Sequence, residues 1–232
     1  MLIRTSEEKQ QIIRNCAMFH NVPDSALASL AQFSKSKDIK NREVICHRGE
    51  SGSSMFFIVS GKVNLNTDSD EGKELTFSIL APGDFFGEIA LLDGGPRTAT
   101  VKALERTELL VIERRYFLPF LEKNPKVAIH LLSTLASRLR KTDELYQDTI
   151  FLNLPGRLAK RFLGLADEYG KETNKGLELG IKLSQGDLGK LTGATRESIN
   201  KQIKAWEDEG IIICENGQII IPEPEKLEAI SE

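Results

Sequence analysis

Between Arg4 and Phe33 apolar residues recur at helical spacing, and Val22-Pro23-Asp24-Ser25 interrupts them. The pattern predicts two helices, the second capped by Asp24 or Ser25. From Glu43 the texture changes. Short apolar runs at Val44-Ile45, Met55 to Val59, Val63 to Leu65, Leu75 to Leu80 and Leu109 to Ile112 alternate with Gly49, Gly61, Gly72 and Gly83. Many short strands at regular turn spacing indicate an antiparallel sandwich or roll. After Asn124-Pro125 the period turns helical up to about Phe151. Ala128, Leu132, Leu135, Leu139, Thr142, Tyr146 and Thr149 alternate spacings of four and three, an a/d seam. A long helix with so narrow an apolar stripe pairs with a copy of itself. Arg138, Arg140 and Lys141 fall outside the seam. Leu154-Pro155-Gly156 breaks the pattern and places a hinge there.

The last third reads differently. Gly156 to Tyr169 is one amphipathic helix. Ser184 to Leu191 is a short helix in which Ser184 and Asp187 have capping-box-like spacing. Thr192-Gly193-Ala194 is a tight turn, and Thr195 caps a second helix running to about Glu209. Ile199, Ile203 and Trp206 share helical spacing and belong to its core face. Ile211 to Ile213 and Ile219 to Ile221 flank Asn216-Gly217, a strong hairpin signal. Helix, turn, helix and hairpin make a winged helix-turn-helix. The expected fold is therefore α+β: an antiparallel β-roll with N-terminal helices over 1–125, a long dimerisation helix and hinge over 126–153, and a winged helix-turn-helix over 154–232.

Composition narrows the function. The chain has 232 residues, 40% hydrophobic and 28% charged, a globular balance. The net charge of −3 means that a nucleic-acid surface has to be a local patch. Cys16, Cys46 and Cys214 are far apart and odd in number, which argues against a disulfide framework and for reduced structural thiols. His20, His47 and His130 are scattered, so no metal or haem ligation is expected. Met1 to Gln11 is polar without an apolar signal core, and no apolar run has bilayer length. These features point to a cytoplasmic protein without membrane contact.

The densest chemistry lies in Pro82-Gly83-Asp84-Phe85-Phe86-Gly87-Glu88-Ile89-Ala90, closed by Pro96-Arg97-Thr98-Ala99-Thr100-Val101. It reads as a cradle for a small cyclic phosphate. Gly87 lets backbone approach a ligand. The Glu88–Ala90 turn, through Ile89, can aim amides at an anion. Arg97 offers a planar fork to two phosphate oxygens, and Thr98 adds a hydroxyl. Glu88 cannot serve a phosphate but can accept from a sugar hydroxyl. No nucleophile–base pair accompanies these groups, so no enzyme is expected.

Together, Phe86-Gly87-Glu88 with Arg97-Thr98-Ala99, and Leu183-Ser184-Gln185, Leu191-Thr192-Gly193 and Thr195-Arg196-Glu197-Ser198-Ile199, resemble the cyclic AMP receptor protein (CRP/FNR) family of bacterial transcription factors. The resemblance covers nearly the whole chain in the family's domain order. It implies that Glu88 holds the ribose hydroxyl and that Arg97 and Thr98 hold the cyclic phosphate, beside Gly87, Ile89 and Ala90. It places Thr142 and Asp143 where the long helix touches the base, and Leu65 and Phe77 as the apolar wall behind it. Asp143 departs from the serine or asparagine common there. A carboxylate can accept from the amino group of adenine or of guanine, so both cyclic AMP and cyclic GMP stay open as effectors. The cysteines do not reproduce the four-cysteine pattern of iron–sulfur members, and no cofactor is expected.

For DNA, the resemblance maps base contacts onto Arg196, Glu197 and Lys201. Arginine pairs bidentately with guanine and glutamate accepts from cytosine N4. Lys201 stands where many members have arginine and lacks the planar fork. Ser184, Thr195 and Lys204 would hold phosphates and set register. Half-sites like TGTGA in inverted repeat are implied, with RNA polymerase as a further partner. The implied function is a homodimeric, ligand-gated regulator on a double-stranded operator. A nucleotide-independent regulator of the same family is the alternative. A regulatory module of a kinase or channel would need only the cassette and leaves the helix-turn-helix unexplained.

Overall fold

The computed structural model describes residues 5–19, 22–68, 74–215 and 217–231. His20, Gly72 and Asn216, singled out above, lie outside these residues. Helix α1 (Ser6–Asn15) is closed by a capping box between Thr5 and Glu8. After a short 3-10 turn, α2 (Asp24–Gln32) follows. Its cap is Pro23, which makes no side-chain hydrogen bond. Asp24 instead forms an ion pair with Arg14 of α1, so neither Asp24 nor Ser25 is the cap. The local polar pattern could not register that long-range partner.

Eight strands follow: β1 (Lys35–Ile39), β2 (Val44–Cys46), β3 (Ser54–Ser60), β4 (Val63–Asp68), β5 (Glu74–Leu80), β6 (Phe85–Phe86), β7 (Thr100–Ala103) and β8 (Thr107–Glu113), with helix α3 (Glu88–Asp93) between β6 and β7. They form two four-stranded sheets in the orders β1-β8-β3-β6 and β2-β7-β4-β5. The recorded pairings are antiparallel, Phe57 facing Leu110 on β8 and Leu65 facing Val101 on β7. This is the roll the alternating runs predict. Its interior holds Ile39, Phe56, Ile58, Val63, Phe86, Val101 and Leu109. Phe56 and Phe86 stack at 4.8 Å, a contact that stabilises by about 1 kcal/mol beyond the area it buries. A second core cluster packs α1, α2 and α4 (Arg114–Lys123) on the outer side of β3 and β8, through Phe19, Leu27, Phe57, Leu110 and Phe117.

Helix α5 (Pro125–Phe151) ends at the residue that the periodicity marks. Contacts divide the chain into two units, with a boundary on α5 between Leu139 and Arg140. Of the seam residues, Leu132, Leu139 and Tyr146 are more than 60% exposed, as are Ile129 and Phe151. Ala128 and Leu135 instead pack against the core of the first unit.

In the second unit α6 (Leu154–Tyr169) is capped by Asn153, whose Oδ1 accepts from the Gly156 amide at 3.0 Å. Leu154-Pro155-Gly156 is therefore the first turn of α6, and Leu152-Asn153 is the break. Proline suits this first turn, where its missing N–H would have no intrahelical partner. A polar hairpin, β9 (Lys171–Thr173) and β10 (Gly176–Glu178), precedes α7 (Gln185–Thr192) and α8 (Arg196–Asp208). Strands β11 (Ile213–Glu215) and β12 (Gln218–Ile221) complete a sheet of order β11-β12-β10-β9, and α9 (Pro224–Ser231) packs on α6. The wing is thus a four-stranded sheet, larger than the isoleucine runs predict, and Ile211 and Ile212 precede its strand.

Candidate functional site

The predicted cradle folds into a cleft on the first unit. Gly87 has φ +82°, a conformation that favours glycine, and it opens helix α3. A side chain there would lie 2.5 Å from Arg97 Nη1 and 3.1 Å from the Ser54 carbonyl oxygen. The glycine therefore permits both the turn and the approach of Arg97. Gly87, Glu88, Ile89, Ala90, Arg97, Thr98, Leu65, Phe86, Ala99, Val101 and Cys46 line this cleft. The enclosed space is only about 50 Å³, well under the roughly 300 Å³ at which ordinary ligand pockets begin.

Its charged groups are buried and already bonded. Glu88 is 4% exposed and Arg97 7%. Arg97 Nη1 donates to the Gly87 carbonyl at 3.0 Å and Nη2 to Ser54 Oγ at 3.3 Å, with the guanidinium 5.3 Å from the Phe56 ring centroid. Glu88 Oε1 accepts from Arg138 Nη1 at 2.7 Å, while Arg138 Nη2 donates to the Phe85 carbonyl and its guanidinium lies over the Phe85 ring. Buried polar groups need such partners, because an unpaired buried charge is costly. Burial pushes the Cys46 thiol above its ordinary range, partly offset by Arg97. The cleft therefore contains a neutral thiol, not a thiolate nucleophile.

The seam pattern left Arg138 outside the apolar stripe and gave it no role. Its meeting with Glu88, fifty positions earlier in the chain, leaves no local signal. Phe77 is 38% exposed on β5 and is not among the residues lining the cleft. Thr142 and Asp143 are exposed on the part of α5 that belongs to the second unit.

The second unit carries the other candidate surface. Ser184 caps α7 through a reciprocal box: its Oγ accepts from the Asp187 amide at 3.2 Å, and Asp187 Oδ2 accepts from the Ser184 amide at 3.0 Å. Gly193, at φ +68°, ends α7 in the left-handed conformation. Thr195 Oγ1 accepts from the Ser198 amide at 3.2 Å and starts α8. Ile199, Ile203 and Trp206 are buried, with Trp206 edge-on to Phe162 of α6 at 5.9 Å. That packing turns the opposite face outward, and Arg196, Glu197, Lys201 and Lys204 are all exposed there.

Two arginines of α6 hold this motif together. Arg157 Nε donates to the Thr192 carbonyl at 3.1 Å and Nη1 to the Leu152 carbonyl at 2.7 Å; Arg161 Nε donates to the Leu191 carbonyl at 3.2 Å. They satisfy carbonyls that helix ends leave without partners. Burial holds the Arg161 guanidinium below its ordinary range. Sequence reading missed both, because their partners are backbone atoms.

A β-roll with a buried Arg–Glu cleft, a long helix with an exposed apolar stripe and a winged helix-turn-helix together describe a regulator with a sensing domain and a DNA-binding domain. Comparison with known proteins agrees. Residues 36–124 match the cyclic nucleotide-binding domain and residues 156–230 the Crp-like helix-turn-helix domain. A CRP-like cAMP-activated global transcriptional regulator of Mycobacterium tuberculosis is 31% identical over 94% of this chain and 97% of its own length. The cAMP-activated global transcriptional regulator CRP of Haemophilus influenzae is 30% identical over 78% of this chain and 80% of its own. Among solved structures, the c-di-GMP responsive global regulator CLP of Xanthomonas campestris shares the fold, with a TM-score of 0.77 at 18% identity, covering 87% of this chain and all of that one. The protein is a cyclic nucleotide-binding, DNA-binding transcription regulator of a non-enzymatic class. The chain belongs to the CRP/FNR family.

Proposed function

We propose that the chain works as a homodimer gated by cyclic AMP, with cyclic GMP as the competing effector. The observation that carries this reading is the cleft in which Glu88 and Arg97 are both buried beside Gly87. Arg97 and Thr98 take the cyclic phosphate and Glu88 accepts from the ribose hydroxyl, with Leu65 along the apolar side. Because the enclosed space is far smaller than such a ligand, binding widens the cleft, while Arg97 keeps its bonds to the Gly87 carbonyl and Ser54 Oγ and turns its remaining donors to the ligand. Thr142 and Asp143 receive the base. Phe77 is the weakest member of this set, given its exposure.

The exposed apolar side chains Leu132, Leu139 and Tyr146 support pairing of α5 with a second copy, which would take them out of water. Two α8 helices then enter successive major grooves about 34 Å apart on a TGTGA-like inverted repeat. Arg196, Glu197 and Lys201 face bases and Lys204 faces phosphate. Ser184 and Thr195, whose hydroxyls cap helices, contribute register more than charge. A cytoplasmic setting and contact with RNA polymerase complete the reading. Nucleotide activates by binding the DNA-competent state more tightly than the other.

Calorimetry with cyclic AMP and cyclic GMP, on the unaltered chain and on Arg97→Leu, tests the reading. Saturable binding by the unaltered chain and a loss of about a hundredfold or more in the variant are expected, since a buried charged donor to an anion is removed. Equal binding by the two proteins would remove Arg97 from the site. Heat in neither titration would favour the nucleotide-independent alternative.

A further inference from the structure

The segment Gly49–Ser54, which the sequence presents only as a glycine turn, holds Arg97 at both its backbone and its side chain. The Arg97 amide donates to the Glu50 carbonyl at 2.8 Å, and the Arg97 carbonyl accepts from the Gly49 amide at 2.8 Å. Ser51 bridges to Pro96, the residue before Arg97. Ser54 Oγ then accepts from Nη2. Gly52 leaves the room for this: a Cβ there would lie 2.6 Å from Arg97 Nε and 2.9 Å from the Ala90 Cβ. Ser54 itself is fixed, because it opens β3 opposite Glu113 of β8.

We propose that Ser54 is a positioning residue for Arg97, and that Gly52 and Ser54 form a socket that presets the guanidinium for the anionic group of the ligand. The proposal rests on the cleft reading above. A guanidinium has five N–H donors. The Gly87 carbonyl and Ser54 Oγ engage one each, and Arg97 still lines the cleft. The remaining donors are available to phosphate oxygens while the two internal bonds restrict the rotamers of a flexible side chain. Ordering Arg97 in advance lowers the entropy that binding would otherwise cost. Serine supplies an acceptor of the right length; alanine supplies none.

The test is the cyclic AMP affinity of the full chain, measured by calorimetry in two backgrounds. In the unaltered background Ser54→Ala is expected to weaken binding about three- to tenfold, the size of one hydrogen bond, and Ser54→Thr to stay within about twofold. In an Arg97→Lys background, where the fork is gone, Ser54→Ala is expected to add no further loss. Gly52→Ala, which pushes the guanidinium out of its socket, should weaken binding with the ligand-free melting curve confirming a folded protein. An equal Ser54→Ala loss in both backgrounds would mean that Ser54 acts without Arg97, and unchanged or tighter binding in the first background would mean that the socket does not preset it. Either result overturns the proposal. If Arg97→Lys alone leaves affinity intact, the cleft reading itself falls and the proposal falls with it.

Discussion

Glu88 and Arg97 are each less than a tenth exposed and are already bonded within the first unit. Arg196, Glu197, Lys201 and Lys204 stand exposed on α8, with no ion pair among the described residues. The contrast fits what the proposed function asks of each surface. A small anion is selected by desolvated, oriented donors, and such donors need internal partners while they are buried. Base edges and phosphates of DNA are met by exposed, solvated side chains that need no internal partner beforehand. Substitution in the cleft should therefore disturb folding and binding together, whereas substitution on α8 should separate them.

The largest effect expected from that contrast is at Arg138. Arg138→Ala leaves the Glu88 carboxylate buried without its cation. The side chain of Arg138 is partly exposed, so the cost should sit below that of a fully buried pair, at about 2–3 kcal/mol of stability. Denaturant unfolding of the ligand-free protein measures it. An unchanged midpoint would mean that Glu88 finds another partner.

Arg196→Ala should leave the unfolding midpoint where it is. It should weaken operator binding by about 1–3 kcal/mol and relax preference at one guanine. Binding-site selection with the variant checks this, and an unchanged preference would argue against direct readout. The smallest effect belongs to Ser184→Ala, which removes an N-cap and should lower stability by about 1 kcal/mol. If Ser184 is mainly a cap, operator affinity of the folded variant stays the same. A loss of affinity uniform across operator sequences, with the fold intact, would return its hydroxyl to the phosphate-contacting set.

Local signals made much of the fold legible. The runs in β3, β4, β5 and β8 alternate with glycines, the end of α5 falls at Phe151, and the Ser184–Asp187 spacing becomes a capping box. Strand β1 was missed because in Lys-Ser-Lys-Asp-Ile only Ile39 is buried, which leaves no alternation to read. The β9–β10 hairpin is short and polar for the same reason. In the cleft, Gly87, Glu88, Arg97 and Thr98 could be named from their own chemistry. Arg138 and Ser54 could not: each reaches its partner across more than forty positions, and a lone arginine or serine has no pattern of its own. The break in helix lies at Leu152-Asn153, just before Leu154-Pro155-Gly156; proline at a first helical turn and proline as a breaker look alike in sequence.

In the proposed function, nucleotide in the cleft and operator on α8 act on one equilibrium. Titration of cyclic AMP into the full chain, with and without a saturating palindromic operator duplex, tests it most directly. Linkage requires DNA to tighten nucleotide binding by the same factor by which nucleotide tightens DNA binding, about 5- to 150-fold for ordinary allosteric couplings. Equal reciprocal factors in that range are the predicted result; a nucleotide affinity indifferent to operator would contradict the account.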